Sequence, residues 1–184
     1  MKKLSRRARI ATGGAVLAAV AAGTFGTVSA NASSSASAAA APVASEKGGS
    51  TVTSTHLSID AATKGAQAAL DAAEKENQKV TVAVVDRNGN TLVTLRGDGA
   101  GPQSYESAER KAYTAVSWNA PTSELAKRLA QTPNLKDIPG TLFLAGGTPV
   151  DVKGAPVAAI GVAGAPSGDL DEKFAAAGVA ALGH

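Results

Sequence analysis

Two glutamates stand three positions apart, at Glu106 and Glu109, in a segment whose apolar spacing predicts a helix. Side chains with this spacing share one helical face, and paired carboxylates supply the hard oxygen ligands that suit ferric iron. The two are therefore candidate iron ligands. The alternative is a solvated helix face in which Glu106 pairs with Arg110. His56, before the first predicted helix, could complete the iron site or could be a solvated linker residue.

Few other side chains could hold a metal or perform catalysis. The sequence has no cysteine, its single methionine is Met1, and its histidines are His56 and His184. These facts exclude cysteine-based zinc sites, iron–sulfur clusters and the His/Met ligation of cytochrome haem. Nucleophilic catalysis has little support, because neither histidine stands near a candidate nucleophile and both lie at the ends of the folded part.

Residues 1–32 have the pattern of an export signal. Five basic residues and no acidic one are followed by an Ala/Gly/Val-rich stretch, and paired arginines at Arg6 and Arg7 favour the twin-arginine type. An ordinary secretory signal is the alternative. Of the 18 Lys and Arg residues, five lie in this leader, which leaves 13 bases against 15 acids. We therefore expect a secreted, extracellular protein with no basic surface for nucleic acid.

The rest of the chain divides into a linker and one domain. Residues 33–55 are rich in Ala and Ser and predict a flexible tether, whereas residues 56–184 alternate helical and strand patterns. Five strands are predicted among four helices, giving an α+β fold with an antiparallel sheet. The predicted strands are Val80–Val85, Thr91–Arg96, Thr141–Ala145, Val150–Val152 and Pro156–Val162.

Three segments, in this order and at this spacing, carry a family resemblance. They are VTVAVVDRNG at Val80–Gly89, SYESAERKAYTA at Ser104–Ala115 and GGTPVDVKGAPVAAIGVAG at Gly146–Gly164. Together they resemble the GlcG/HbpS family of secreted haem-binding and haem-degrading proteins, over residues 57–182. The resemblance implies a profilin-like or PAS-like antiparallel five-stranded sheet flanked by helices.

The resemblance also implies what the protein binds. Haem is expected as the ligand, with Thr141, behind Pro139 and Gly140, as the residue that contacts it; a Thr141 that merely begins a strand is the alternative. Among other candidate haem ligands, Tyr113 is expected to belong to the core. Iron binding through the Glu106 and Glu109 pair is a further implication. The resemblance also implies a homo-oligomer, with an octamer as the expected size, and an interaction with a membrane sensor kinase.

These implications favour an extracellular haem- and iron-binding protein that serves a redox- or iron-sensing two-component system. Two alternatives remain. One is slow degradation of the porphyrin, in which the haem itself does the chemistry, and the other is a binding module for corrinoids or small metabolites. Ala163 stands where family members often have Ser, and Gly97 stands where they often have Met, which argues against an enzymatic role at those positions.

Overall fold

The structure is a computed structural model that describes Gly49 and residues 51–183. The predicted export signal, residues 1–32, and most of the predicted linker lie outside the described residues. Within them, no helix is long and apolar enough to cross a membrane. The elements are α1 (Ile59–Lys75), β1 (Thr81–Asp86), β2 (Thr91–Arg96), α2 (Pro102–Trp118), α3 (Thr122–Arg128), a 3-10 turn (Pro133–Asp137), β3 (Gly147–Val152), β4 (Ala155–Ala163) and α4 (Gly168–Ala180).

The strands form one antiparallel sheet in the order β2-β1-β4-β3. The predicted antiparallel sheet flanked by helices is confirmed, but the described part of the chain contributes four strands and not five. Strand β1 is buried along its whole length, as its unbroken apolar run predicts. Strands β2 and β3 form the two edges of the sheet.

Alternate residues of the central strands pack against different helices. Val82 and Val84 belong to the main core cluster with α1 and α4, whereas Ala83 and Val85 pack against alanines of α2. Since successive side chains of a strand point to opposite faces, α1 and α4 cover one face of the sheet and α2 covers the other. The fold is therefore a three-layer sandwich.

Helix α2 lies unusually close to the sheet because small residues face each other. A Cβ built on Gly161 of β4 would stand 2.1 Å from the carbonyl oxygen of Ala108 and 2.6 Å from the amide nitrogen of Ala112. No side chain fits in that space, so glycine is required at this position. The close contact fixes the position of α2, and with it every side chain that α2 presents.

Serines near the starts of α1 and α2 have different roles. Ser58 caps α1, because its Oγ accepts from the Ala61 amide at 3.2 Å, and serine is a favoured residue at this position. Helix α2 begins at Pro102, so Ser104 lies in its first turn and is not its cap. The buried hydroxyl of Ser104 instead donates to the Gly101 carbonyl at 2.6 Å and lies 2.7 Å from the hydroxyl of Thr81.

The segment Thr141–Ala145, predicted as the fifth strand, has no strand pairing. The amide of Leu142 donates to the side-chain oxygen of Thr114 at 2.8 Å, where a strand would donate to a neighbouring backbone. Phe143 packs against Trp118 with ring centroids 5.2 Å apart. The Leu142 amide and the Phe143 side chain are therefore satisfied by contacts with α2, and neither requires a sheet partner.

Candidate functional site

A cleft of about 190 Å³ opens beside α2, between the β1–β2 turn and the turn that ends at Gly140. Helix α2 contributes Glu109, Arg110 and Tyr113 to it. The same helix is locked against the sheet at Gly161, so these three side chains project from a fixed support.

Tyr113 forms the aromatic wall of this cleft. Its side chain is 37% exposed, so the expectation that Tyr113 belongs to the core is wrong. Gly89, which has a φ of +86°, approaches the ring so closely that a Cβ there would stand 2.9 Å from Cε2 of Tyr113. On the other edge, a Cβ on Gly140 would stand 3.7 Å from Cε1 of the ring. Two turns thus hold the ring by its edges.

The β1–β2 turn that carries Gly89 is organised by Asp86. Its Oδ1 accepts from the backbone amides of Asn88 and Asn90, each at 2.8 Å. Burial raises the pKa of Asp86, but the hydrogen bonds from Asn90 and Asn88 outweigh burial and lower the pKa overall. The ionised carboxylate therefore stabilises the turn that contacts Tyr113.

The two candidate iron ligands have different partners. Glu106 forms an ion pair with Arg110 one turn further along the helix, as the alternative interpretation of this residue predicted. Glu109 lines the cleft, and its Oε1 accepts from the hydroxyl of Thr94 at 3.2 Å. Both carboxylates remain on the same helix, and within the described residues no cluster of three or more His, Asp or Glu side chains surrounds them.

His56 has surroundings different from those of the two glutamates. It precedes α1 in the chain, and Leu57 beside it packs into the core cluster that α1 and α4 share. Its Nε2 is 2.7 Å from the hydroxyl of Ser54, and its charge contributes to the lowered pKa of Asp86 in the β1–β2 turn. Among the described residues, no cluster of three or more His, Asp or Glu side chains joins His56 to Glu106 and Glu109. Its role as an iron ligand stays a prediction.

Thr141 follows directly on Gly140 at the edge of the cleft. Its side chain is 7% exposed, and its hydroxyl donates to the carbonyl of Ile138 at 2.7 Å. A hydroxyl has one proton and two lone pairs. The proton is used inside the turn, so the oxygen of Thr141 keeps lone pairs that could serve a ligand.

Comparison with known proteins assigns the chain to a family. Residues 57–180 match the sequence profile described as "Haem degrading protein HbpS-like". The chain belongs to the HbpS-like family. This confirms the resemblance, and the match covers nearly all of the described residues.

Two solved structures show a similar architecture. A crystal structure of Streptomyces reticuli HbpS, with two glutamates three positions apart replaced by aspartate, is 78% identical with a TM-score of 0.74; it covers 79% of this chain and 99% of that one. A PduOC:heme complex is 26% identical with a TM-score of 0.64, over 69% of this chain and 95% of that one.

A curated relative adds similarity in sequence. It is an uncharacterized 15.0 kDa protein from the dhaT-dhaS intergenic region of Citrobacter freundii, 34% identical over 113 residues. The matched region spans 59% of this chain and 80% of the relative. It extends the family relationship without adding a stated activity.

Sequence reasoning missed a polar residue on the buried face of α2. Lys111 stands three residues after Ala108 and four before Ala115, which both pack against the sheet. Helical spacing therefore places a lysine on the alanine-lined stripe, and that placement was the available signal. The structure shows that Lys111 is 4% exposed and paired with Asp171.

Proposed function

We propose that this protein binds haem outside the cell, with the cleft beside Tyr113 as the binding site. One observation carries the proposal: an exposed aromatic ring, the guanidinium of Arg110 and the turn before Thr141 border a single opening. Haem is a flat apolar macrocycle with two carboxylates, so it suits an aromatic surface with a cationic neighbour. The PduOC:heme complex supports this proposal, because PduOC has a similar fold.

The volume of the cleft supports the expectation of a homo-oligomer. Its volume of about 190 Å³ is below the roughly 300–1,000 Å³ of typical small-molecule sites. One chain therefore encloses an edge of the macrocycle and leaves the rest exposed. A second copy that covers the exposed part would complete the site, which is the physical argument for a homo-oligomer; an octamer is the expected size.

Thr141 is proposed as the residue nearest the haem iron. Its oxygen has lone pairs to offer, because its proton is donated to Ile138. A neutral hydroxyl is a weaker ligand than imidazole or thiolate, so modest affinity and ready release are expected. Bound haem supplies redox chemistry, and the protein contributes the position of Tyr113, the charge of Arg110 and partial exclusion of water.

Hemin titration of the protein, followed by the Soret band, tests the proposal. Saturable binding of one hemin per chain is expected, with weaker binding in Thr141→Ala. Thr63→Ala is a matched control, because Thr63 also donates its hydroxyl to a backbone carbonyl, that of Ile59 at 2.8 Å, but lies on α1 in the other layer. Unsaturable binding, or equal loss in both variants, would overturn the proposal.

Ferric iron is proposed as a second ligand, held by Glu106 and Glu109. Both lie on α2, where Glu109 lines the proposed haem cleft, and a Streptomyces reticuli HbpS was altered at a pair of glutamates with the same spacing. Iron must displace Arg110 from Glu106, because the two form an ion pair without metal. We propose that this exchange reports iron and redox state to a membrane sensor kinase under oxidative stress.

Equilibrium dialysis against a ferric chelate tests the iron site. The double variant Glu106→Ala/Glu109→Ala should lose the iron, whereas Asp71→Ala/Glu74→Ala should keep it. Asp71 and Glu74 have the same three-residue spacing on the exposed face of α1, so they control for any carboxylate pair on a helix. Equal iron content in the two variants would remove Glu106 and Glu109 from the proposal.

Haem degradation is the second candidate function, and the description of the family favours it. Hemin incubated with the protein and a reductant should then release a linear tetrapyrrole at a rate that depends on Thr141. Loss of all product on addition of catalase would assign the reaction to free peroxide and leave binding as the function.

A further inference from the structure

A second cleft, of about 420 Å³, lies at the start of α4 and shares no lining residue with the cleft beside Tyr113. Its base is the buried ion pair of Lys111 and Asp171. The haem proposal uses neither residue. Replacing a buried ion pair by neutral residues often costs little stability, so stability alone does not account for the pair. An ionised pair at the base of an open cleft is therefore a candidate ligand site.

The ammonium group of Lys111 has an unused donor. Nζ donates to the Val162 carbonyl at 3.0 Å and to Oδ2 of Asp171 at 2.7 Å. A lysine ammonium carries three N–H bonds, and the third has no acceptor among the described residues. Lys111 is 4% exposed and lines the cleft, so the cleft gives water or a ligand access to this ammonium group.

Two backbone amides at the start of α4 add further donors to the cleft. The amides of Gly168 and Asp169 begin α4 and have no intrahelical acceptor. Both oxygens of Asp171 already accept hydrogen bonds, because Oδ1 accepts from the Ala165 amide at 3.0 Å and Oδ2 accepts from Lys111. The carboxylate of Asp169 also lines the cleft, but its side chain is exposed at the rim. A ligand that uses the free donors must therefore bring acceptors.

One wall of the cleft is apolar. Leu144 is 57% exposed, and few other large apolar residues are exposed among residues 51–183. Ala145 and Pro166 extend this wall on either side of the opening. A ligand that combined oxygen acceptors with a short hydrocarbon part would cover Leu144 while it satisfied the donors at the base.

We propose that this cleft binds a small carboxylic acid with a short hydrocarbon chain. Its carboxylate accepts from the third N–H of Lys111 and from the amides at the start of α4, and its chain lies on Leu144. The partial positive charge of the helix start favours the anion over a neutral acceptor. The proposed site uses no residue of the haem cleft, so its test does not depend on the outcome for the proposed function.

Butyrate titrated into the uniformly 15N-labelled full chain, followed by two-dimensional NMR, tests the proposal. Saturable shifts of the Ala165, Gly168 and Asp169 amides are expected, with no shift at Gly89 or Gly140 in the other cleft. Lys111→Met should weaken binding about tenfold or more, because it removes a charge-assisted hydrogen bond. Lys173→Met, which alters an exposed lysine on α4 that does not line the cleft, should bind as the wild type does.

Leu144→Trp keeps the test valid if Lys111→Met does not fold. Its larger side chain fills the opening from an exposed position and leaves the ion pair untouched, so the butyrate shifts should disappear. Unchanged butyrate binding in Leu144→Trp, or no saturable shifts in the wild type, would overturn the site. Butyramide that bound as tightly as butyrate would overturn the assignment of a carboxylate.

Discussion

Lys111 and Asp171 join α2 to the start of α4 through an ion pair with an Nζ–Oδ2 distance of 2.7 Å, and their side chains are 6% and 5% exposed. Burial is the largest influence on Asp171 and raises its pKa, against the charge and hydrogen bond of Lys111, which lower it. Both ions of the pair therefore lose hydration on burial, and either charge left buried without its partner would destabilise the fold.

Removal of one partner should be costly, and removal of both charges should not be. Lys111→Met leaves a buried unpaired carboxylate, and we expect a loss of about 3–5 kcal/mol in the free energy of unfolding. Lys111→Met/Asp171→Asn removes both charges and keeps an oxygen to accept from Ala165, so most of the loss should be recovered. Urea denaturation of both variants measures this difference. Equal free energies of unfolding for the single and the double variant would show that the loss of side-chain shape, and not of charge, destabilises the protein.

The contact between Gly89 and Tyr113 should matter to both folding and haem. Gly89→Ala places a methyl group against the ring and in a positive-φ conformation that costs about 1–2 kcal/mol by itself. We expect greater destabilisation than that, together with weaker hemin binding, because the ring must move.

Gly154→Ala is the matched control for this prediction. Gly154 has a φ of +78° in the other hairpin turn, and a Cβ there would meet nothing within 4 Å. The variant should therefore show only the backbone cost, with unchanged hemin affinity. If Gly89→Ala behaved in the same way in urea denaturation and hemin titration, the ring contact would have no role.

Arg110 should bind haem through a propionate. Arg110→Ala is expected to weaken hemin binding by about 1.4- to fivefold, which corresponds to the roughly 0.2–1 kcal/mol of an exposed ion pair. Titration with hemin dimethyl ester, which has no free carboxylate, should abolish the difference between variant and wild type. Arg128→Ala, an exposed arginine on α3, controls for net charge. An equal loss for hemin and its ester would assign Arg110 a purely structural role.

The turn organised by Asp86 should make part of the stability acid-sensitive. The pKa of Asp86 in the folded protein lies below its ordinary value of 3.8, so the unfolded chain takes up the proton first. Its contribution is therefore present above pH 3.8 and is lost as the pH falls through the lowered pKa. The stability difference between wild type and Asp86→Asn, measured by urea denaturation, should shrink on acidification. A constant difference from pH 7 to pH 3 would contradict this account.

The sequence predicted most elements because their signals are local. The apolar run before Asp86 and the Asn88-Gly89 turn define the β1–β2 hairpin, and Ser58 caps α1 as its position predicts. The predicted fifth strand was wrong. Thr141–Ala145 has a strand-like pattern, but its structure depends on a contact with a residue that is distant in the sequence. The side-chain oxygen of Thr114, 28 positions from Leu142, takes its backbone amide, and no local pattern reveals that.

The site was predictable in its residue types and not in its arrangement. Spacing alone placed Glu106 and Glu109 on one helix, and the ion pair of Glu106 with Arg110 follows the same rule. The exposure of Tyr113 depends on two turns from distant segments, at Gly89 and Gly140. The partner of Lys111 lies 60 positions away, so only the fold could identify it.

Helix α2 carries consecutive residues, Arg110 and Lys111, to two separate clefts. The helix is held against Gly161, where no side chain fits, so the sheet and not a ligand sets its position. Occupation of one cleft should therefore leave the affinity of the other unchanged, which is a coupling free energy near zero between the two ligands. The close contact of α2 with the sheet thus keeps two binding equilibria independent, although they use side chains that are neighbours in the sequence.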